Sequence, residues 1–195
     1  MNTWRITVFS LVFWAFSLPL LFHLLTHPAL LLRRLRIGPL AEPEPRQRLI
    51  AFLLLLGIAA LGVVSGRDYD SGWSQVPAFV VLLGDLLVAS GLILIWLVFR
   101  RNSFAAVTVN VEPEQPVIST GPYALVRHPL YSGALLLFLG TPFGLGSWWG
   151  LILVVPLVAL ILWRIKLEET YLSTHLSGYR DYCARVTHRL IPLIW

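Results

Sequence analysis

Long apolar segments are the feature that most constrains how this chain can fold. About five of them run along its 195 residues, and each is close to the ~20 residues that an α-helix needs to cross a bilayer. They cover residues 6–25, 49–65, 77–99, 130–145 and 148–163. Hydrophobic residues make up 57% of the chain and charged residues 13%, against about half and about a quarter in a soluble domain. The sequence therefore predicts an all-α integral membrane protein with about five transmembrane helices, forming one domain over residues 1–195.

The distribution of arginines predicts how these helices are oriented. The net charge is +5, from 15 Lys and Arg against 10 Asp and Glu, and the basic residues lie beside apolar segments. We interpret this charge as a membrane-topology signal and predict no nucleic-acid partner. Arginines follow the first and third segments, at Arg33, Arg34, Arg36, Arg46, Arg48, Arg100 and Arg101. The positive-inside rule then predicts an inner-membrane protein with its N-terminus and the turn over residues 66–73 outside, and its C-terminus in the cytoplasm.

Two local features exclude other classes of protein. The first apolar segment has only Arg5 before it and lacks a small-x-small cleavage site, so we expect a retained helix rather than a signal peptide. Cys183 is the single cysteine, which excludes an internal disulfide and a CxxC metal site. The sequence predicts no metal centre.

Polar residues concentrate in two segments, 102–131 and 164–192, on either side of the last pair of spans. Antiparallel spans bring both segments to the same side of the membrane, where convergent polar groups beside an apolar cavity are a candidate site. The first segment contains Arg127, His128 and Tyr131 within one turn of a helix N-terminus, which favours an anion. The alternative is structural, with Arg127 reaching lipid headgroups and Pro129 in the first turn of a helix.

The second segment also permits two interpretations. Leucines and tyrosines at helical spacing predict a cytoplasmic helix and an ordered tail near the membrane, with Arg164 pairing with Glu168 and basic residues holding anionic lipid. That interpretation is poorer for the adjacent Glu168 and Glu169. Carboxylates beside a negative membrane surface are disfavoured unless a cation occupies the site.

These segments carry a family resemblance. The run GPYALVRHPLYSG, followed by RIKLEE, YRDY and RLIP, resembles the integral-membrane methyltransferases that include isoprenylcysteine carboxyl methyltransferase and, more distantly, phospholipid methyltransferases. The likeness covers residues 102–195, whereas residues 1–101, the first three spans, agree in hydropathy alone. It implies S-adenosylmethionine as cofactor, a cytoplasmic pocket closed by the tail, and a lipid-like acceptor that enters between helices. The implied cofactor-binding residues are Gly121, Tyr123, Arg127, His128, Pro129, Tyr131, Glu168, Glu169 and Tyr182.

Methyl transfer also suits the residue types themselves. It is an in-line displacement that depends on alignment and electrostatics, and it needs no strong base if the acceptor is already a carboxylate. Glu168 or Glu169 can bind the cofactor's amino group or ribose hydroxyls. Arginine matches a carboxylate or phosphate as a fork, so Arg164 and Arg189 are candidates for orienting the acceptor. The predicted catalytic residues are Arg164, Glu169 and Arg189.

Two alternatives to a methyltransferase stay open at this stage. One is a nicotinamide-dependent membrane reductase of related architecture, which lacks support from any added phosphate-binding cluster. The other is a non-enzymatic lipid-binding scaffold, with Arg127, Arg185 and Arg189 as headgroup anchors. Within the methyltransferase prediction, a carboxylate of the isoprenylcysteine type is preferred. A phospholipid amine, a small thiol or an isoprenoid acid would also suit a pocket open to the inner leaflet.

Overall fold

The structure is a computed structural model that describes residues 3–26, 42, 44–105, 111 and 115–195. In these residues all regular structure is helical: α1 (Trp4–Thr26), α2 (Pro45–Ser71), α3 (Ala78–Arg101), a 3₁₀ helix (Gly121–Ala124), α4 (Pro129–Leu145), α5 (Gly150–His175) and α6 (Tyr179–Arg185). Helices α1, α2, α3 and α5 are long and apolar enough to cross a membrane, and α4 is a shorter apolar helix. The predicted all-α membrane fold is confirmed.

Helix α4 lies in the middle of the bundle. It contacts α1, α2, α3 and α5, and its length of 17 residues is below that of the other spans. A helix of that length rises about 26 Å, slightly less than the ~30 Å hydrocarbon core. Since four helices surround it, protein contacts rather than lipid stabilise this shorter element.

Glycines bring α3 and α4 into close contact. A Cβ atom at Gly84 would lie 2.2 Å from the backbone nitrogen of Gly144, and one at Gly140 would lie 2.8 Å from the carbonyl oxygen of Gly84. Gly91 and Gly133 form a second close approach of the same kind, nearer the other end of the pair. Small residues drive helix association in membranes because they let two backbones approach closely.

This contact gives a stability prediction. Gly84→Ala should lower the free energy of unfolding by about 2 kcal/mol, because the added methyl group meets backbone that cannot rotate away. Gly62→Ala is the matched control, since nothing lies within 4 Å of a Cβ atom there. It should leave stability unchanged or raise it by up to about 1 kcal/mol through helix propensity. Denaturant unfolding in one detergent measures both variants, and equal stability would contradict the packing described.

The turn after α2 is shorter than the sequence predicted. The helix continues to Ser71, through most of the expected turn over residues 66–73, and the chain reverses at Gly72 with φ 65°. Asp68 explains the difference because it is buried and not solvated as a turn residue would be. Its Oδ2 accepts hydrogen bonds from Ser74 (2.6 Å) and Ser147 (2.5 Å). The carboxylate thus ties the end of α2 to the α4–α5 connection.

One end of the bundle gathers the polar segments, and we call it the site end. Because α2 to α5 pass back and forth, the start of α2, the end of α3, the start of α4 and the end of α5 all meet there. Helix α5 continues beyond the predicted span to His175, so the expected helix after residue 164 is an extension of the same element. Of the predicted basic loop, Arg33, Arg34 and Arg36 lie outside the described residues, whereas Arg46 and Arg48 lie in the first turn of α2 and not in a loop.

Candidate active site

The C-terminal tail is bonded along the segment that begins α4. Arg127 and His128 donate their backbone N–H groups to the carbonyls of His188 and Arg189, each at 2.9 Å. Ser132, one turn into α4, donates its hydroxyl to the Leu190 carbonyl at 2.6 Å. Pro129 occupies the first turn of α4, where a missing N–H costs no helical hydrogen bond. The tail is therefore held over the N-terminus of α4.

Glu169 joins three separate segments at this point. Its Oε1 lies 2.9 Å from an Arg127 guanidinium nitrogen and 3.3 Å from His128 Nε2, and its Oε2 accepts from Arg189 Nε at 2.9 Å. Arg189 also stacks over the Trp195 ring, with its guanidinium carbon 5.0 Å from the ring centroid. One carboxylate thus balances two arginines from opposite sides and ties α5 to both the α4 entry and the tail.

Glu168 has different partners from its neighbour. Tyr131 donates its hydroxyl to Glu168 at 2.6 Å, and Arg164 Nε donates to the same tyrosine oxygen at 2.9 Å. His128 Nδ1 is 4.0 Å from Glu168, and within the described part of the chain no arginine or lysine forms an ion pair with it. Arg164 instead forms an ion pair with Glu42, which precedes α2. Glu168 therefore has no direct ion pair with a described arginine or lysine, and its charge interacts with Arg164 through the intervening Tyr131.

A pocket at the site end, here called the site pocket, is lined by some of the predicted residues and not by others. The predicted residues that line it are Tyr123, Arg127, His128, Pro129, Tyr131, Glu168 and Tyr182. Glu169 and Arg189 instead line a neighbouring depression together with Lys166 and Arg180. Arg164 is buried behind the pocket wall, and Gly121 starts the 3₁₀ helix beside Arg101. Seven predicted residues thus line the site pocket, whereas the other four, Gly121, Arg164, Glu169 and Arg189, lie behind or beside it.

Two tyrosines of α6 close one side of the site pocket. Tyr182 donates its hydroxyl to the Tyr123 carbonyl at 2.8 Å. Tyr179 is buried, and its hydroxyl lies beside the weakly hydrogen-bonding Cys183 thiol, with no oxygen or nitrogen partner among the described residues. Burial raises the pKa of both phenols above the ordinary value, so both stay protonated at neutral pH. The Tyr179 hydroxyl thus remains available to a polar ligand, whereas Tyr182 holds the 3₁₀ helix in place.

Removing the Tyr182 hydroxyl should therefore destabilise the protein. We expect Tyr182→Phe to lower the free energy of unfolding by about 1–2 kcal/mol, because the partly buried Tyr123 carbonyl loses this hydrogen bond. Thermal unfolding in detergent measures the change. Tyr171→Phe serves as the control, since the Tyr171 side chain is partly exposed and its hydroxyl has no hydrogen bond in the described structure. Equal melting temperatures for the two variants would contradict this role.

Two residues of this site carry no signal in the sequence. Glu42 lies with Glu44 in a proline-rich stretch between two groups of arginines, and helical spacing suggested Glu168 as the partner of Arg164. Asn102 donates its side-chain amide to the Tyr123 hydroxyl at 3.0 Å and lines the site pocket. Both contacts join residues far apart in the chain, so periodicity could not indicate them.

Comparison with known proteins identifies the family. A family model described as phospholipid methyltransferase matches residues 79–178, just over half of the chain. The matched region contains α3, α4 and α5, and with them the Arg127–His128–Pro129 and Glu168–Glu169 motifs of the site. No protein of curated function matches the chain. The chain belongs to the phospholipid methyltransferase family, whose members are membrane methyltransferases related to isoprenylcysteine carboxyl methyltransferase.

Proposed function

We propose that this protein transfers a methyl group from S-adenosylmethionine to a lipid-like acceptor at the inner leaflet, with a carboxylate of the isoprenylcysteine type as the first candidate. One observation carries the proposal: the α4 entry and the Glu168–Glu169 pair, distant in sequence, meet at the site end, where Glu168 lines the site pocket and Glu169 lines the depression beside it. The arginines Arg100 and Arg101, which end α3 at that side, support a cytoplasmic orientation.

The residues of the site pocket fit this cofactor by their chemistry. Glu168 offers a carboxylate without an arginine partner, which suits the cationic amino and sulfonium groups. Tyr179 offers a buried hydroxyl whose described neighbour is the weakly hydrogen-bonding Cys183 thiol, which suits a ribose hydroxyl or the cofactor's carboxylate. Leu172 and Leu176 supply an apolar wall. The cofactor, when bound, supplies an electrophilic methyl group on sulfur.

The chain's own contribution is then to position the reactants. Glu169 holds the tail against the α4 entry through Arg127 and Arg189, and this fixes Arg127 and His128 in the wall of the site pocket while the reactants are aligned. Alignment of this kind can supply much of the acceleration of a displacement reaction. Arg189, whose side chain is one-third exposed, remains the better placed of the two predicted arginines to meet an anionic acceptor. Arg164 is buried and already holds Glu42 and Tyr131.

A groove on the membrane side supports a lipid-like acceptor. It lies between α2 and α5, is almost entirely apolar, and extends to Trp163, the residue before Arg164. Gly57 lies at its floor, where a Cβ atom would come within 2.7 Å of Leu157. A groove of this character suits an acyl or prenyl chain whose head group reaches the site end.

A phospholipid amine is the second candidate acceptor, because the matching family model is described as phospholipid methyltransferase. An ammonium group must lose a proton before it can attack the methyl group. His128 is buried in the wall of the site pocket, and its imidazole is the candidate base for accepting that proton. A carboxylate acceptor would need no such proton transfer.

Membranes from expressing and non-expressing cells, incubated with a methyl-labelled donor, test the proposal. Label that enters the lipid fraction and is released by alkali as volatile methanol indicates a methyl ester, whereas label that stays non-volatile after alkali indicates methylation at nitrogen or sulfur. The purified protein should bind S-adenosylmethionine in calorimetry. Saturable binding of a reduced nicotinamide cofactor without binding of the methyl donor would instead favour a reductase, and binding of neither would favour the lipid-binding scaffold.

A further inference from the structure

A buried ion pair joins the segment before α2 to Arg164, which lies behind the wall of the site pocket. Glu42 and Arg164 are each 1% exposed, and the Arg164 guanidinium donates to the Glu42 carboxylate. Charges removed from water in this way interact strongly because the surroundings screen them little. The pair lies directly behind Tyr131, whose hydroxyl oxygen accepts from Arg164 Nε at 2.9 Å.

The direction of these hydrogen bonds is fixed by Arg164. A guanidinium can only donate, so the Tyr131 oxygen must accept from it, and the tyrosine proton is left to point at Glu168 at 2.6 Å. The chain Glu42–Arg164–Tyr131–Glu168 thus ends on a carboxylate that lines the site pocket. Glu42 sits at the far end of that chain and does not line the pocket.

The charges around the site divide into two groups. Glu169 faces Arg127 and Arg189, which leaves that side with an excess of positive charge. On the other side, the positive charge of Arg164 faces Glu42, and Glu168 has no arginine or lysine partner among the described residues. Among the described residues, Glu168 is the other carboxylate on this hydrogen-bonded chain, and its charge already acts on Arg164. If Glu42 carried no charge, Glu168 would meet the charge of Arg164 without that competition.

We propose that Glu42 is a positioning residue that neutralises Arg164 and so leaves the charge of Glu168 for a cationic ligand in the site pocket. This inference rests on the proposed function, in which that ligand is the sulfonium donor. It predicts selectivity by charge: Glu42 strengthens binding of positively charged S-adenosylmethionine over its neutral-sulfur product, S-adenosylhomocysteine. A carboxylate that only stabilised the fold would affect both ligands alike.

Glu42→Gln tests the inference, with the dissociation constants of both ligands measured by calorimetry on the full chain in detergent. We expect the affinity for S-adenosylmethionine to fall roughly tenfold or more, because one uncompensated charge then opposes the sulfonium. The affinity for S-adenosylhomocysteine should change much less. Glu42→Asp keeps the charge and should retain most of the preference for the donor.

The double variant Glu42→Gln with Arg164→Gln is the decisive comparison, because it removes both charges together. We expect it to restore the preference for S-adenosylmethionine, and it carries the test alone if Glu42→Gln does not fold. Equal weakening of both ligands by Glu42→Gln, or a double variant that lacks the preference, overturns the inference. A parent protein that binds neither ligand overturns the proposed function, and this inference with it.

Discussion

Replacing Glu169 with glutamine is expected to weaken S-adenosylmethionine binding about 100-fold and to lower the free energy of unfolding by about 3 kcal/mol. The carboxylate is held by Arg127, His128 and Arg189, which belong to two other segments, and its side chain is 14% exposed. Glutamine has the same shape but no charge, so two arginines lose their counter-ion and the tail loses its anchor. Calorimetry and thermal unfolding of the parent and the variant measure both effects.

Glu168→Gln is the matched control, because the two carboxylates are adjacent on α5. Glu168 contacts neither Arg127 nor Arg189 within ion-pair distance, and its hydrogen bond comes from Tyr131. We therefore expect this variant to keep its stability nearly unchanged and to lose affinity for the donor more than for the neutral demethylated product. Glu169→Gln should lower the affinities for both ligands by similar factors. Identical profiles for the two variants would show that the carboxylates do not have separate roles.

The proximity of the start of α4 and the Glu168–Glu169 pair could be predicted from the sequence because the topology requires it. Spans that alternate in direction place the start of α4 and the end of α5 on one side, and the adjacent carboxylates at 168 and 169 then face the motif at 127–131. Hydropathy likewise predicted the five helices, since the bilayer fixes the length of each apolar segment. These predictions depend on the number, length and order of the apolar segments, which can be read from a single sequence.

The partner of Arg164 could not be predicted in that way. Helical spacing offered Glu168 four residues later, and that rule applies to exposed helix surfaces. Arg164 is instead 1% exposed, and its ion pair is with Glu42, 122 residues earlier in the chain. The turn after α2 was placed too early for a similar reason. Asp68 resembled a solvated turn residue, yet it is buried and accepts hydrogen bonds from Ser74 and from the distant Ser147.

Arg164→Lys is expected to lower the rate of methyl transfer about 100-fold while leaving cofactor affinity nearly unchanged. Lysine can keep a positive charge opposite Glu42, so the two buried charges still neutralise each other. It cannot also present a second, rigidly spaced donor to the Tyr131 hydroxyl, which Arg164 Nε provides. Tyr131 would then lose its fixed direction toward Glu168, and a displacement of about 1 Å in an aligned site can cost about 10²-fold in rate.

Single-turnover methyl transfer and cofactor calorimetry, measured in the same detergent, separate rate from binding for this variant. Arg185→Lys is the control, since Arg185 is exposed at the end of α6 and makes no contact with the site pocket. It should transfer methyl groups at the parent rate. If Arg164→Lys also transferred methyl groups at the parent rate, the planar, forked guanidinium of Arg164 would have no part in the reaction. The buried pair with Glu42 would then act through its charge alone.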